Sequence, residues 1–422
     1  MKKMVRILSG PIVAMLAYFL LATVPNAFAA GPYTCTWTGA GDGSSFSDAS
    51  NWSGCNSAAP QAGDNDNLVF NAISTSTPLN NDITGLNLTN LTISGAETGQ
   101  VIINGNAFSI SGGITDTATG GALANTINPD LTLTGDQTFD VSSSQDSLAI
   151  NGNISLGISE LLVTAGSIST NSVSFGGAFS GTGSLTFNGS GSEYDFFVPS
   201  PSYSGAVEIG SGVAVEIAGS MNALGTGAIT VDNGGTLMVE DSNATDTLPN
   251  NLILSGTGAT GQEGALVSCL DWVQPGHGGP AVGEFGALTG CTSSATTLTL
   301  SGTLTLAANT SVVNGDYMGG SAPANNATFD FTGTYTPAGF AVVTPSGSST
   351  ILSGDGLGSS SGGSSSGSGS TGSSTSTAPK TPNTGAGLIS GKYGVILLIT
   401  SLSAASLVYL AKRYNYSVFN KK

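Results

Sequence analysis

The sequence predicts an all-β fold, a solenoid of stacked short strands over residues 30–353. Three observations predict it. The stretch from Gly31 to about Leu352 keeps one texture of short alternating runs with no linker, where sandwiches would divide into separate domains. The outward positions of those runs are Thr, Ser and Asn rather than Lys and Glu, which suits side-chain ladders between stacked coils. Segments such as SGTGSLTFNGSG (180–191), GTGAITVDNGGTLMVE (225–240) and SGTLTLAANTSVVNGD (301–316) echo one another, the mark of a repeat architecture.

Charge narrows the function. The chain has 422 residues with 9 Lys+Arg, 26 Asp+Glu and 1 His. Nothing basic lies between Arg6 and Lys380, while every acid lies between Asp42 and Asp355. Nucleic-acid binding needs cations to displace counterions from phosphates, so it is excluded. A P-loop lacks its Lys. One His cannot build a His-rich zinc site.

Residues 1–29 read as a secretory signal. Lys2, Lys3 and Arg6 precede an apolar run, and Ala27-Phe28-Ala29 supplies small residues at the cleavage site, placing processing after Ala29. The entry to the solenoid, residues 30–70, carries Trp37, Phe46 and Trp52, which are expected to cap the first open strand edge. Asp64-Asn65-Asp66 offers oxygen donors of the kind Ca²⁺ takes, without the GGxGxDxUx repeat of a calcium solenoid. No other cofactor and no metal ligand set is expected.

Within the body, runs such as 131–134, 184–188, 228–231, 236–240, 252–254 and 298–306 alternate apolar and polar residues, so each presents one inward face. Asn104-Gly105, Asn151-Gly152, Asn188-Gly189, Asn233-Gly234 and Asn314-Gly315 punctuate them. Coils of ~22 residues at ~4.8 Å would give about 14 coils and a rod of roughly 70 Å. Phe329, Phe331, Tyr335 and Phe340 are expected to cap the far end.

The run Gly181-Thr-Gly183, Leu185-Thr186, Tyr203-Ser-Gly205, Ala223-Leu-Gly225, Gly227, Ile229-Thr-Val231 and Gly234-Gly-Thr-Leu237 resembles the autotransporter-associated β-strand repeat. The entry Trp37-Thr-Gly39, Phe46-Ser-Asp48, Asn51-Trp52, Val69-Phe70 resembles the capping start of such surface proteins. The resemblance covers about two-thirds of the body. It implies a right-handed parallel β-helix of the passenger type. The chain departs from that family in ending on an apolar segment rather than an outer-membrane barrel.

Cys35, Cys55, Cys269 and Cys291 make an even set in an exported chain, expected as disulfides. Local pairing, 35–55 and 269–291, is the simplest of three connectivities. The second would brace a loop insertion, 264–291, holding Asp271, Trp272, His277 and Glu284. A lone His beside acids has the chemistry of a general base. The loop offers no nucleophile motif and no second cation for an oxyanion, so no catalytic residue is assigned. It reads as a binding loop, with Trp272 suited to carbohydrate or protein contact. No dense acidic cluster with neighbouring aromatics stands out along the chain, and basic substrate-binding residues are absent.

Residues 354–379 form a Ser/Gly-rich flexible linker spanning about 28 Å as a coil. In 380–392, Thr381-Pro382-Asn383-Thr384-Gly385 resembles the Leu-Pro-x-Thr-Gly signal of sortase-anchored surface proteins, with Thr381 in place of leucine. That implies cleavage after Thr384; a permanent span is the alternative. Residues 393–411 are uncharged and long enough, at ~28 Å, to cross a bilayer as a transmembrane helix. The basic tail 412–422 would be cytoplasmic. The expectation is a stalk or adhesin on the extracellular face of the envelope. It is held by membrane or wall and contacts glycans or surface proteins of another cell. The alternatives are a glycoside hydrolase with paired carboxylates and a passive coat.

Overall fold

The computed structural model describes residues 31–353, apart from 57, 75, 120–123, 143–146, 167–171, 219, 242–244, 261–263, 271–296, 315–327 and 344–350. The signal segment with Ala29, the linker, Thr384, the apolar segment and the basic tail lie outside the described residues. Within them the regular structure is β, except one 3-10 turn at Ala49–Asn51. No described helix is long and apolar enough to cross a membrane.

The strands form a parallel β-solenoid. A coil carries three strands, as in Leu131–Leu133, Gln137–Val141 and Leu148–Ile150, and the next coil repeats them at Ile154–Gly157, Leu161–Ala165 and Ser172–Phe175. Each strand pairs in parallel with its counterpart one coil on. Along the longest ladder, Asn67, Asn90, Gly113, Thr138, Leu162, Thr186, Glu208, Thr230 and Ile253 lie opposite one another in turn, at a nearly constant interval along the chain. The next step, from Ile253 to Thr305, is more than twice as long because an insertion intervenes. The solenoid therefore holds fewer coils than a uniform repeat of ~22 residues would give.

Register aligns the inward residues into columns. Cys35, Leu68, Leu91, Ile114, Phe139, Val163, Phe187, Ile209, Val231, Leu254 and Leu306 stack one above another, and each is fully buried. Each such side chain is worth about 1.5–3 kcal/mol when taken out of water. A slip of one residue would turn the whole column to solvent, so the pattern sets the register.

Polar positions stack as well. Asn90 Nδ2 donates to Asn67 Oδ1 at 2.8 Å. Asn128 donates to Asn104 at 2.7 Å and Asn151 to Asn128 at 2.8 Å. Thr164 donates its hydroxyl to Asp140 at 3.2 Å. The Asn-Gly pairs at 104–105 and 151–152 thus mark coil edges where amides ladder from coil to coil.

One corner explains the Tyr-Ser-Gly and Gly-x-Gly sequences. Gly183, Gly205 and Gly227 sit in a column where the chain stacks so closely that a β-carbon on Gly205 would strike the Gly183 carbonyl, and one on Gly227 the Gly205 carbonyl. The buried Tyr203 hydroxyl donates toward the Gly183 carbonyl at 3.0 Å and the Ala206 carbonyl at 3.1 Å.

The first cap forms as expected. Thr34–Trp37 pairs antiparallel with Trp52–Ser53, which closes the open edge. Trp37 and Trp52 meet edge to face at 4.9 Å, Phe46 lies 5.3 Å from Trp52, and Phe70 lies beneath them. Trp52 Nε1 donates to the Phe46 carbonyl at 2.8 Å. Cys35 and Cys55 are joined in a disulfide with Cα atoms 4.8 Å apart. Asp42 holds the cap loop by accepting from the Ser45 hydroxyl, the Ser44 and Ser45 amides and Asn51. The Ser45 bonds, led by the hydroxyl, keep the Asp42 carboxyl well below the usual range.

Two expectations need correction at the far end. The run 298–306 is not one strand. Thr297–Leu300 joins a separate four-stranded ladder with Thr245–Leu248, Thr328–Phe331 and Ile351–Ser353, while Leu304–Asn314 continues the main ladders. Between them Gly302 packs against the Asn250 carbonyl, making a corner. Phe329 and Phe331 are buried and Phe331 lies 6.3 Å from Tyr335, but Phe340 is 41% exposed. Phe340 follows a turn that its own N–H closes onto the Pro337 carbonyl, outside the strands that carry the other three rings.

The corner geometry is testable. Gly205→Ala is expected to lower stability by about 3 kcal/mol through overpacking, and Tyr203→Phe by about 1–3 kcal/mol through the lost bonds to buried carbonyls. Urea unfolding of each variant measures both. An unchanged midpoint for Gly205→Ala would refute the close approach at this corner.

Candidate functional site

Most outward acids in the body meet neutral partners on the neighbouring coils. Asp140 stands between Thr115 and Thr164, and Glu208 between Thr186 and Thr230. Asp195 is different. It lies on Ser192–Phe196, opposite Glu216 on the parallel strand Val213–Ile217. Among the described paired strand residues, this is the one rung where acid stacks on acid.

Alternation explains how the site forms. Tyr194 and Phe196 turn into the core, where Phe196 stacks on Phe175 at 4.9 Å and Tyr194 meets Phe187 at 4.9 Å. The Tyr194 hydroxyl donates to the Asn188 carbonyl at 2.5 Å, and burial pushes its pKa up. Glu193 and Asp195 must then turn to the opposite face. Val215 stacks on Tyr194, so Glu216 shares that outer face with Asp195. This face is not open to water as an outer face ordinarily is. Ser174, Ala214 and Met238 on the neighbouring rungs are buried, and Asp195 and Glu216 are only 8% and 6% exposed.

Glu193, Asp195 and Glu216 each bring a carboxylate oxygen within 4.8 Å of the others. Glu193 is part-exposed along its stem, but its Oε1 exposes less than 1 Å² and has no hydrogen-bond partner. Burial first, then the like charges of Asp195 and Glu216, hold the Glu193 carboxyl well above its ordinary value. Glu193 also shares a hydrogen bond with Glu216, which favours the protonated form.

A second buried acidic pair shows the ordinary solution. Asn125 Nδ2 donates to Asp116 Oδ2 at 2.9 Å and to Glu97 Oε2 at 3.3 Å, so an amide stands between the carboxylates. In the triad the carboxylates converge on one another instead.

The residues singled out in the sequence fare differently. Asp271, Trp272, His277, Glu284 and Cys291 lie outside the described residues. Cys269 sits on Leu266–Leu270, a strand that pairs with Thr236–Asp241 and Leu304–Asn314, so the ladder runs through the first residues read as a loop from 264. Asp66 is buried and its carboxylate accepts from the Tyr33 amide at 2.9 Å and the Gln61 amide at 3.4 Å, a backbone-holding role. Asp64 is half-buried beside it. The triad is a cluster that the sequence reading did not single out. Its signal was present in the sequence: Asp195 and Glu216 stand one coil apart, but only register makes that spacing a contact.

A cleft of about 350 Å³ also opens beside the first cap, lined by Trp37, Thr38, Asn71, Ser74 and Thr77 among others. Its lining is uncharged. No family model, curated protein or solved structure matches this chain.

The triad predicts a pH dependence. A carboxyl whose folded pKa is raised binds its proton more tightly when folded, so stability is full below the unfolded value near 4.5 and is lost as pH rises through the folded value. Thermal unfolding in chelator should show this loss. Glu216→Gln removes one like charge and one acid hydrogen bond, and should flatten the loss above pH 4.5. The same slope in variant and wild type would reject the coupling.

Proposed function

We propose that this chain is an exported stalk, anchored at the cell envelope, whose work is structural or adhesive rather than catalytic. The observation that carries this is the continuous parallel stack, held by apolar columns within and by neutral Asn and Thr ladders on its edges. Such a body is stiff and uniform, and it presents loops and edges rather than one deep site. The crossover between parallel strands favours a right-handed coil. The signal-like segment ending at Ala29 supports export. The linker 354–379 and the apolar segment 393–411 support tethering, with Thr384 as the point of wall attachment.

The binding side of the reading rests on two places. The uncharged cleft beside the cap, with its hydroxyl and amide lining, suits a neutral sugar or peptide. The loop that holds Trp272 and His277 is the other. Acid pairs also suit glycoside hydrolysis, where a retaining pair stands about 5 Å apart. The triad has a comparable spacing, but its Asp195 and Glu216 are buried, so a sugar ring would not reach both. That burial supports the non-catalytic reading.

The test uses the whole purified chain with a panel of polysaccharides and cell-surface glycans, scoring retention and new reducing ends together. Retention without turnover is expected. New reducing ends would overturn the non-catalytic reading, and no retention on any glycan would favour a protein partner or a passive coat. The mass of the envelope-bound form checks the anchor. A chain ending at Thr384 supports wall attachment, and one retaining the basic tail supports a permanent span.

A further inference from the structure

The stretch between Arg6 and Lys380 has 26 acids and no Lys or Arg, so neither of those side chains is at hand to neutralise a buried acid. Among the described residues, Glu193, Asp195 and Glu216 are the one group of three metal-capable side chains whose ligand atoms converge. We propose that Glu193, Asp195 and Glu216 bind one calcium ion between two successive coils.

Three observations carry this. The first is the donor set, carboxylate oxygens alone, which selects a hard cation. The second is burial. The three oxygens lie within 4.8 Å of one another, on a face where Asp195 and Glu216 are almost closed to water. Ca²⁺ accepts such a dry set of carboxylates, whereas Mg²⁺ dehydrates reluctantly and keeps several waters. The third is the Glu193 carboxylate, which brings one oxygen into the convergent group and whose Oε1 is shut off from water without a hydrogen-bond partner. A buried oxygen left so is costly unless something fills its lone pairs.

The backbone holds the ligands in place. Glu193 and Asp195 alternate on one strand, and Glu216 stands directly opposite Asp195 on the next, so the strand ladder sets their separation before any ion arrives. A bound Ca²⁺ would turn like-charge repulsion between the two coils into a cross-link. It would also set this site apart from the diffuse cation atmosphere that any polyanionic body attracts.

The experiment titrates the whole chain with Ca²⁺ alone by calorimetry, and follows thermal unfolding in Ca²⁺, Mg²⁺ and chelator at pH 7. The expected result is a saturable site with Kd on the order of 10⁻⁴–10⁻³ M, as in extracellular calcium modules. The Tm should rise more in Ca²⁺ than in equal Mg²⁺. Glu216→Gln should weaken binding at least ~10-fold and abolish the rise. In chelator that variant should be at least as stable as wild type, because a like charge is gone. Equal effects of Ca²⁺ and Mg²⁺, or unchanged affinity in Glu216→Gln, overturn the proposal. If Glu216→Gln does not fold, Tb³⁺ luminescence of the wild-type chain still decides. Displacement by Ca²⁺ at far lower concentration than by Mg²⁺ supports the site, and equal displacement by both overturns it.

Discussion

Parallel stacking in register places each residue directly over its counterpart one coil away, and the rest of this structure follows from that constraint. Where the counterparts are apolar, a dry column results, as from Cys35 to Leu306. Where they are Asn, each amide donates to the one beside it, as from Asn104 through Asn128 to Asn151. Where they are Gly, the backbone closes in until a β-carbon would not fit, as at Gly183, Gly205 and Gly227. One geometric rule thus gives three kinds of cohesion, according to the residue type that recurs.

The same rule penalises charge. Stacked carboxylates repel, and the cost grows as water is withdrawn. Asp140, Glu208 and Asp330 avoid this by facing Thr or Ser on the neighbouring coils. Asp195 faces Ser174 on one side but Glu216 on the other, and Glu193 joins them on a face that is buried rather than wet. The Glu97–Asn125–Asp116 arrangement shows that an interposed amide can relieve two buried acids. Where carboxylates converge on one another instead, a proton or a cation offsets the repulsion, and this links a local electrostatic fault to a candidate ligand.

The ends obey different physics from the middle. Interior coils receive a template on both sides, but an end coil has one bare edge. The first coil answers with an antiparallel return, a disulfide and four aromatic rings. Its carboxylates, Asp42 and Asp66, are used up in holding backbone amides. The far end gains a separate four-stranded ladder in place of a single long strand.

Much of this was legible in the sequence. Alternation at 131–133 and 185–189 required strands with one buried face, since period two admits no helix there. Echoing segments at near-constant spacing required coils, and clustered Trp and Phe with Cys35 and Cys55 required a cap. Register was not legible, because successive coils differ slightly in length and only backbone pairing settles which residue faces which. That is why Asp195 and Glu216 were invisible as a pair, why 298–306 divided at Gly302, and why Phe340 fell outside the packed end. The sequence by itself determined the repeating strand, its inward face and its neutral ladders, since those depend on neighbours along the chain. Only the tertiary structure decided the carboxylate triad, since it depends on which residues one coil sets upon the next.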